Sequence, residues 1–106
     1  MILYNVTVSI EESVAQEWLD WMTTVHVPDV MNTGLFIDSK ICRIEAFEQG
    51  GLSYSIQYLA PTRADYERYQ AEHAPRLQAE HTQKYQGKFA AFRTLLEVLD
   101  HQTRTL

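Results

Sequence analysis

Apolar and polar side chains alternate along residues 2–10, and this period of two predicts a half-buried β-strand. The same alternation returns at residues 52–60, and further runs of strand-forming residues lie at 36–47 and 88–99. Residues 48–51 contain two glycines and predict a hairpin turn between the second and third strands. The pattern therefore predicts four strands.

A helical period predicts one helix between the first two strands. Its apolar stripe consists of Val14, Trp18, Trp21 and Val25. Ser9 and Ser13 each begin a capping-box pattern, so the sequence leaves two alternative starts open. Pro28 should end or kink this helix because proline lacks an N–H donor, and Gly34 suits the turn that follows.

A second helix is predicted between residues 63 and 86, after a helix-start pattern at residues 62–65. Its stripe is formed by Tyr66, Tyr69, His73 and Leu77, with His81 close to it. Pro75 interrupts the pattern, so we expect a kink or two helical pieces.

The resulting order, β-α-β-β-α-β, is that of the ferredoxin-like α+β fold. Right-handed connections then predict a four-stranded antiparallel sheet with strands one and three in the centre and both helices on one face. A chain of 106 residues suits a single domain, and we expect residues 101–106 to form a loose tail. Each half carries a His-x-Pro motif, at His26-Val-Pro28 and at His73-Ala-Pro75.

Composition excludes several classes of protein. The net charge is −5 and the Lys and Arg residues are scattered, so nucleic acid is not an expected partner. The lone cysteine, Cys42, predicts a reducing, cytoplasmic location. No signal-peptide pattern is present and no apolar run approaches the ~18 residues of a membrane span, so no membrane association is expected. Phosphate-binding and nucleophile motifs are likewise missing from the sequence.

Six short motifs are spread over nearly the whole chain. They are Ile2-Leu-Tyr-Asn-Val-Thr-Val8, Trp18-Leu-Asp-Trp-Met22, His26-Val-Pro28, Thr33-Gly-Leu-Phe36, Tyr54-Ser-Ile-Gln-Tyr58 and Lys88-Phe-Ala-Ala-Phe-Arg-Thr94. As a set they resemble a family of short bacterial proteins, common in Bacteroidetes, that is known only as a domain of unknown function. The resemblance implies the predicted fold and leaves the activity open.

A more remote resemblance rests on the aromatic first helix followed by His-x-Pro. This arrangement is similar to that of the dimeric α+β barrel superfamily, which includes antibiotic-biosynthesis monooxygenases, EthD-like proteins and haem-degrading enzymes. Because members of that superfamily usually pair sheet to sheet, the resemblance implies a homodimer that closes into a dimeric α+β barrel. Fold likeness by itself implies no activity.

The two repeated histidines, His26 and His73, are the catalytic candidates. On a continuous α-helix His26 falls at the edge of the apolar arc, where it acts in a pocket or caps helix carbonyls. His73 falls in the middle of its stripe, a core position that needs a polar partner. A satisfied core histidine and a ligand-binding group are both open interpretations of His73.

Aromatic side chains around His73 predict a pocket for a small apolar or aromatic molecule between helices and sheet. The predicted ligand-binding residues are His73, Tyr66, Tyr69, Tyr4, Tyr54, Tyr58 and Trp18. Two helical turns separate His73 from His81, which is too far for both to bind one metal ion directly. Neither a metal nor another cofactor is therefore expected.

The other face of the sheet is predicted to be polar. Its residues are Asn5, Thr7, Ser55, Gln57 and Arg93. Such a surface is either an open face in water or a wet dimer interface, and the superfamily resemblance favours the interface.

Three hypotheses of function follow from these observations. The first is a small cytoplasmic homodimer that binds a small apolar or aromatic molecule, and no activity is assigned to it. The second is a cofactor-independent monooxygenase or isomerase-like enzyme that uses His73 or His26 together with Asn5 or a tyrosine. The third is a structural or regulatory dimer without a ligand.

Overall fold

A computed structural model describes residues 1–45 and 51–106 of the chain. Within these residues the strands are β1 (Ile2–Glu11), β2 (Asp38–Arg43), β3 (Gly51–Ala60) and β4 (Phe89–Glu97). The helices are α1 (Ala15–Trp21), α2 (Val27–Met31), α3 (Arg63–Glu72) and α4 (Ala74–Lys84), with a 3₁₀ turn at Glu12–Val14 and a π-helical turn at Met22–His26. The predicted hairpin turn, apart from Gly51, and the end of the predicted second strand lie outside the described residues.

Across the described residues the strands form one antiparallel sheet in the order β2-β3-β1-β4. The longest strands, β1 and β3, are therefore central, as predicted. Together with the α+β order of the elements this confirms the ferredoxin-like fold.

The first helical segment continues through Pro28, where the sequence predicted an end or a kink. The backbone stays helical on both sides of Pro28, so the missing N–H removes one bond of the segment without ending it. The π-helical turn lies just before this proline. In a π-helix each backbone N–H donates to a carbonyl one residue further back than in an α-helix. Neither predicted capping box forms here, because the N-cap positions of this segment make no side-chain cap bond.

The second helical segment begins with a complete capping box. The backbone N–H of Asp65 donates to the Thr62 hydroxyl at 3.1 Å, and the Thr62 N–H donates to the Asp65 carboxylate at 3.2 Å. The predicted interruption is confirmed, because α3 ends at Glu72 and α4 begins at Ala74. His73 occupies the break, with φ −126°.

The core lies between the helices and one face of the sheet. Tyr4 of β1 contacts Tyr69 of α3, and Tyr54 of β3 contacts Trp18 of α1, with ring centroids 6.1 and 4.8 Å apart. Even-numbered side chains of both central strands therefore face the helices. Because Val6 pairs with Arg93, the odd-numbered side chains of β4 face the same way. The helices pack mainly on β1, β2 and β3 and leave this side of β4 partly open.

Candidate functional site

A small cavity of about 50 Å³ lies between the helices and the sheet. From the helical segments it is lined by Met22, His26, Tyr69, Gln78, His81 and Thr82. From the strands it is lined by Tyr4, Val6, Val8, Ile56, Tyr58, Phe89, Ala91 and Arg93. Thr82 and Arg93 are exposed, so the mouth of the cavity lies between α4 and β4.

His81 of α4 is buried in this cavity wall, with 8% of its surface exposed. The indole N–H of Trp18 donates to His81 Nε2 at 2.9 Å and so joins the two helical segments. Because Nε2 accepts this bond, the proton of the neutral ring lies on Nδ1. Burial lowers the pKa of His81 to about 4, and repulsion from His26 when it is protonated and from the Arg93 guanidinium acts in the same direction. The imidazole is therefore neutral at pH 7.

His26, the last residue of the π-helical turn, lies beside His81. Its ring stacks on Trp21 at 5.2 Å between centroids and lies 5.8 Å from the ring of His81. Burial lowers its pKa to about 4, although the Asp29 carboxylate acts in the opposite direction. Its Nδ1 atom is buried and has no hydrogen-bond partner among the described residues. An unpaired buried polar atom is costly, so this nitrogen is a suitable partner for a guest molecule.

Tyr4 is the centre of an aromatic cluster at the other side of the cavity. Four ring centroids lie 5.3 to 6.3 Å from its own, those of Phe36, Tyr58, Tyr66 and Tyr69. The Nε–H of Arg93 donates to the Tyr4 hydroxyl at 3.1 Å. Burial, with the neighbouring tyrosines, raises the pKa of Tyr58 and of Tyr69 well above the usual value. Both therefore remain neutral phenols that can donate hydrogen bonds.

The predicted ligand-binding residues divide into two groups. Those that line the cavity are Tyr4, Tyr58 and Tyr69, together with the catalytic candidate His26. Trp18 lies behind the wall and reaches the cavity through its bond to His81. Tyr66 contacts Tyr4, and Tyr54 contacts Trp18, but neither lines the cavity.

His73 lies outside the core position that the sequence predicted for it. Its side chain is 26% exposed in the break between α3 and α4, and it does not line the cavity. The Arg76 guanidinium lies 3.4 Å from His73 Nδ1, and the Glu72 carboxylate lies 4.0 Å from Nε2. The prediction is wrong because it placed the His73 side chain by the angles of an unbroken helix, whereas the helix ends one residue earlier and the backbone of His73 itself is not helical.

Arg93 lies on the opposite face of the sheet from the one predicted. It pairs with Val6, whose side chain faces the helices, and it therefore belongs to the cavity rather than to the polar face. The prediction is wrong because residues 88–99 do not alternate between apolar and polar, so the direction of each side chain depends on the register with β1.

His81 is the main residue that the sequence reasoning left out of the site. The signal for it is the spacing of Ala74, Leu77, His81 and Tyr85, which are all buried on α4 or directly after it. Counted from Pro75 as the start of a new helix, these positions form one stripe. Gln78, Phe89 and Ala91 were missed as well, because their approach to His81 depends on tertiary packing.

The opposite face of the sheet carries a row of polar side chains. The Asn5 amide donates to the Thr7 hydroxyl at 3.1 Å, Gln57 donates to the Ser55 hydroxyl at 3.3 Å, and that hydroxyl donates to Asn5. Two large apolar side chains on the same face, Phe92 and Leu96, are 64% and 45% exposed. This face, defined by these six residues, is called the open face below.

Two further properties concern metals and membranes. Over residues 1–45 and 51–106, no three His, Cys, Asp or Glu side chains come close enough to share a metal ion. No helix in this part of the chain is long and apolar enough to cross a bilayer.

The profile of one protein family, described as a domain of unknown function and named DUF4286, matches residues 1–99. The chain belongs to the DUF4286 family. This confirms the predicted resemblance to a family of unknown function. No curated protein matches the DUF4286 chain.

Solved structures share the fold of this DUF4286 chain at low sequence identity. A dimeric ferredoxin-like protein from an uncultured marine organism is 14% identical with a TM-score of 0.75, over 98% of this chain and 100% of that one. An antibiotic biosynthesis monooxygenase is 16% identical with a TM-score of 0.65, over 94% and 100%. An EthD-family protein from Bacillus halodurans is 10% identical with a TM-score of 0.63, over 89% and 97%. These likenesses confirm the fold predicted from the sequence.

Proposed function

We propose that this DUF4286 protein is a homodimer in which each subunit binds a small molecule with one aromatic ring in the cavity between helices and sheet. The observation that carries the proposal is the convergence of polar groups on that cavity. Two neutral imidazoles, three phenols and one guanidinium border a space that a purely structural core would fill with apolar side chains. The Nδ1 atom of His26, which no described residue contacts through a hydrogen bond, is the clearest of these groups.

The size of the cavity limits the ligand and requires a movement. Its volume of about 50 Å³ holds two or three water molecules, whereas an engineered cavity of about 150 Å³ binds benzene. The mouth is the place where the extra volume can arise, because Arg93 is exposed and β4 is an edge strand that the helices cover little. Movement of α4 away from β4 at this mouth would widen the cavity toward solvent and leave the bond between Arg93 and Tyr4 in place.

Two of the three hypotheses receive less support from this geometry. A general base works best with a pKa near the working pH, and burial holds the pKa of both His26 and His81 at about 4. Acid–base catalysis at pH 7 is therefore less well supported than binding. A dimer without a ligand leaves the buried Nδ1 of His26 without a partner among the described residues, whereas a bound molecule can supply one.

Ligand binding is tested by NMR titration of the labelled protein with benzyl alcohol, benzamide and benzoate. At least one of these should saturate, with shifts at Ala91 and His81, which line the cavity. Ala91→Phe fills the cavity and should abolish the shifts at His81. Ala79→Phe, on the exposed side of α4, adds the same ring elsewhere and is the matched control. Absence of binding by all three compounds at millimolar concentration contradicts the proposal.

The homodimer is supported by the open face, where exposed Phe92 and Leu96 flank partly buried polar side chains. Exposed apolar side chains next to polar ones are typical of an interface with a polar component. A structural neighbour described as dimeric supports the same assembly.

Adjacent residues of β4 supply a matched test of the interface. Leu96 pairs with Leu3 on the open face, Leu95 pairs with Tyr4 on the helix side, and the two are 45% and 43% exposed. In sedimentation velocity at micromolar concentration, Leu96→Asp should yield monomer and Leu95→Asp should remain dimeric. A wild-type protein that sediments only as monomer contradicts the proposal.

A further inference from the structure

We propose that the ligand of this cavity is an anion, a single-ring carboxylate or phenolate whose charged group binds the Arg93 guanidinium. This inference rests on the proposed function and adds the chemical class of the ligand. It begins from the charges around the cavity. None of the lining residues is an Asp or a Glu, and Arg93 is the lining residue that carries a full charge at neutral pH.

The guanidinium of Arg93 has no carboxylate partner among the described residues. Ion pairs with acidic groups engage Arg68, Lys84 and Lys88, and among the described cations left without such a pair Arg93 is the one that lines the cavity. In a protein of net charge −5, an uncompensated cation at the mouth of a cavity makes that cavity locally attractive to anions. The position of this cation along β4 is fixed by the pairing of Arg93 with Val6 in the β1–β4 register.

The hydrogen bonding of Arg93 leaves donors for such an anion. Its Nε–H is bonded to the Tyr4 hydroxyl, and its two terminal nitrogens have no hydrogen-bond partner among residues 1–45 and 51–106. A guanidinium binds carboxylate oxygens with these terminal groups in a planar, charge-assisted arrangement. Since the Tyr4 oxygen accepts from Arg93, its own proton is directed elsewhere and can be donated to the same anion.

The rest of the cavity suits the ring of such a molecule. Val8, Ile56 and Met22 supply apolar wall on the side away from Tyr4, and Phe89 closes it next to His81. Because burial holds His26 and His81 in the neutral form, this part of the cavity adds no second cation. The charged group of the ligand therefore belongs at the mouth and its ring in the interior.

The experiment compares benzoate with benzamide, which has nearly the same shape and no charge, by titration of wild-type protein followed by NMR. Hydrogen bonds to a charged group predict that benzoate binds at least about tenfold more tightly. In Arg93→Gln the two affinities should fall within about twofold of each other. Arg68→Gln, an exposed position on α3 with the same change of charge, should keep the wild-type preference.

The possible results separate this inference from the proposed function. If benzamide binds wild type as tightly as benzoate, or if Arg93→Gln keeps the preference for benzoate, the anionic class is wrong and the cavity remains a binding site. If the preference is lost equally in Arg68→Gln, the effect comes from net charge and the assignment to Arg93 is wrong. If neither compound binds, the proposed function fails and this inference fails with it.

Discussion

The two His-x-Pro motifs share a sequence pattern and occupy opposite kinds of environment. His26 is packed against Trp21 and His81, and its buried Nδ1 has no hydrogen-bond partner in the part of the chain that the structure describes. His73 is partly exposed and lies beside the charged groups of Arg76 and Glu72. The same three-residue pattern therefore produces a cavity residue in one half of the molecule and a surface residue in the other.

The difference arises from how each helix accommodates its proline. In the first half, a π-helical turn precedes Pro28 and the helix continues. Because a π-helical turn contains more residues than an α-helical turn, it rotates the side chain of His26 toward the core. In the second half the helix breaks at His73 and restarts, with Pro75 in the first turn of α4. A proline two residues after a histidine thus predicts a local irregularity, and the tertiary packing determines which kind.

Acidification should produce the largest of the effects that follow from the burial of His26, which His73 does not share. The pKa of His26 and of His81 is about 4 in the folded protein and about 6.5 in the unfolded chain, so the unfolded state binds more protons between these values. The free energy of unfolding should have its full value above pH 6.5. It should fall as the pH decreases toward 4, by on the order of 3 kcal/mol for each histidine. Urea unfolding at fixed protein concentration from pH 8 to pH 4 measures this loss of unfolding free energy.

His26→Leu should reduce this acid-dependent loss by about half, since it removes one of the two titrating groups. An unchanged loss in that variant would show that other groups cause the acid sensitivity.

Replacement of each buried histidine at pH 8 should show how much its hydrogen bonding contributes to stability. His81→Leu leaves the buried indole N–H of Trp18 without an acceptor, which should cost about 2 kcal/mol of unfolding free energy. His26→Leu removes a nitrogen that has no partner among the described residues, so the change should lie within about 1 kcal/mol and can be stabilising. The reverse order in urea unfolding would contradict the hydrogen bonding described here.

The ends of the two helical segments should behave alike, in contrast to the histidines. Gly34 and Gly87 follow the two segments with φ of +78° and +77°, and a Cβ atom at either would meet nothing within 4 Å. Gly34→Ala and Gly87→Ala should each cost about 1 kcal/mol, because only the backbone conformation is unfavourable for alanine. Gly51→Ala, where φ is not positive, is the control, and thermal unfolding that shows an equal loss there would remove this explanation.

His73 should show the smallest effect. Its contacts with Arg76 and Glu72 lie at the surface, so His73→Ala should change the unfolding free energy by no more than about 0.5 kcal/mol. Benzoate binding should also be unchanged in this variant. A loss of more than about tenfold in affinity would return His73 to the site and remove the contrast between the two motifs.

Much of the fold could be predicted from local patterns. The alternation at residues 2–10 and 52–60 identified the central strands, and the resulting faces placed Tyr4, Tyr54 and Tyr58 toward the helices. Thr62 and Pro75 marked the start and the interruption of the second helical segment. These features depend on hydrogen bonds and steric restrictions within a few residues, so one sequence is enough to recognise them.

The candidate site could be predicted only in part. Tyr4, Tyr58 and Tyr69 were identified because each belongs to a regular stripe or alternation. His81 and Arg93 were misplaced or left out, since the direction of each depends on the irregularity that precedes it or on the register with a distant strand.

The sequence by itself determined the order of the elements, the two central strands and the aromatic character of the helix-facing side. Only the tertiary structure decided which histidine is buried and that Arg93 lies at the cavity with Tyr4. The physical reason is that a local pattern fixes the period of a helix or strand. Packing against parts of the chain that are distant in sequence fixes the rest. It sets the direction of side chains after a π-helical turn, the angle between two helices at a break, and the register of an edge strand.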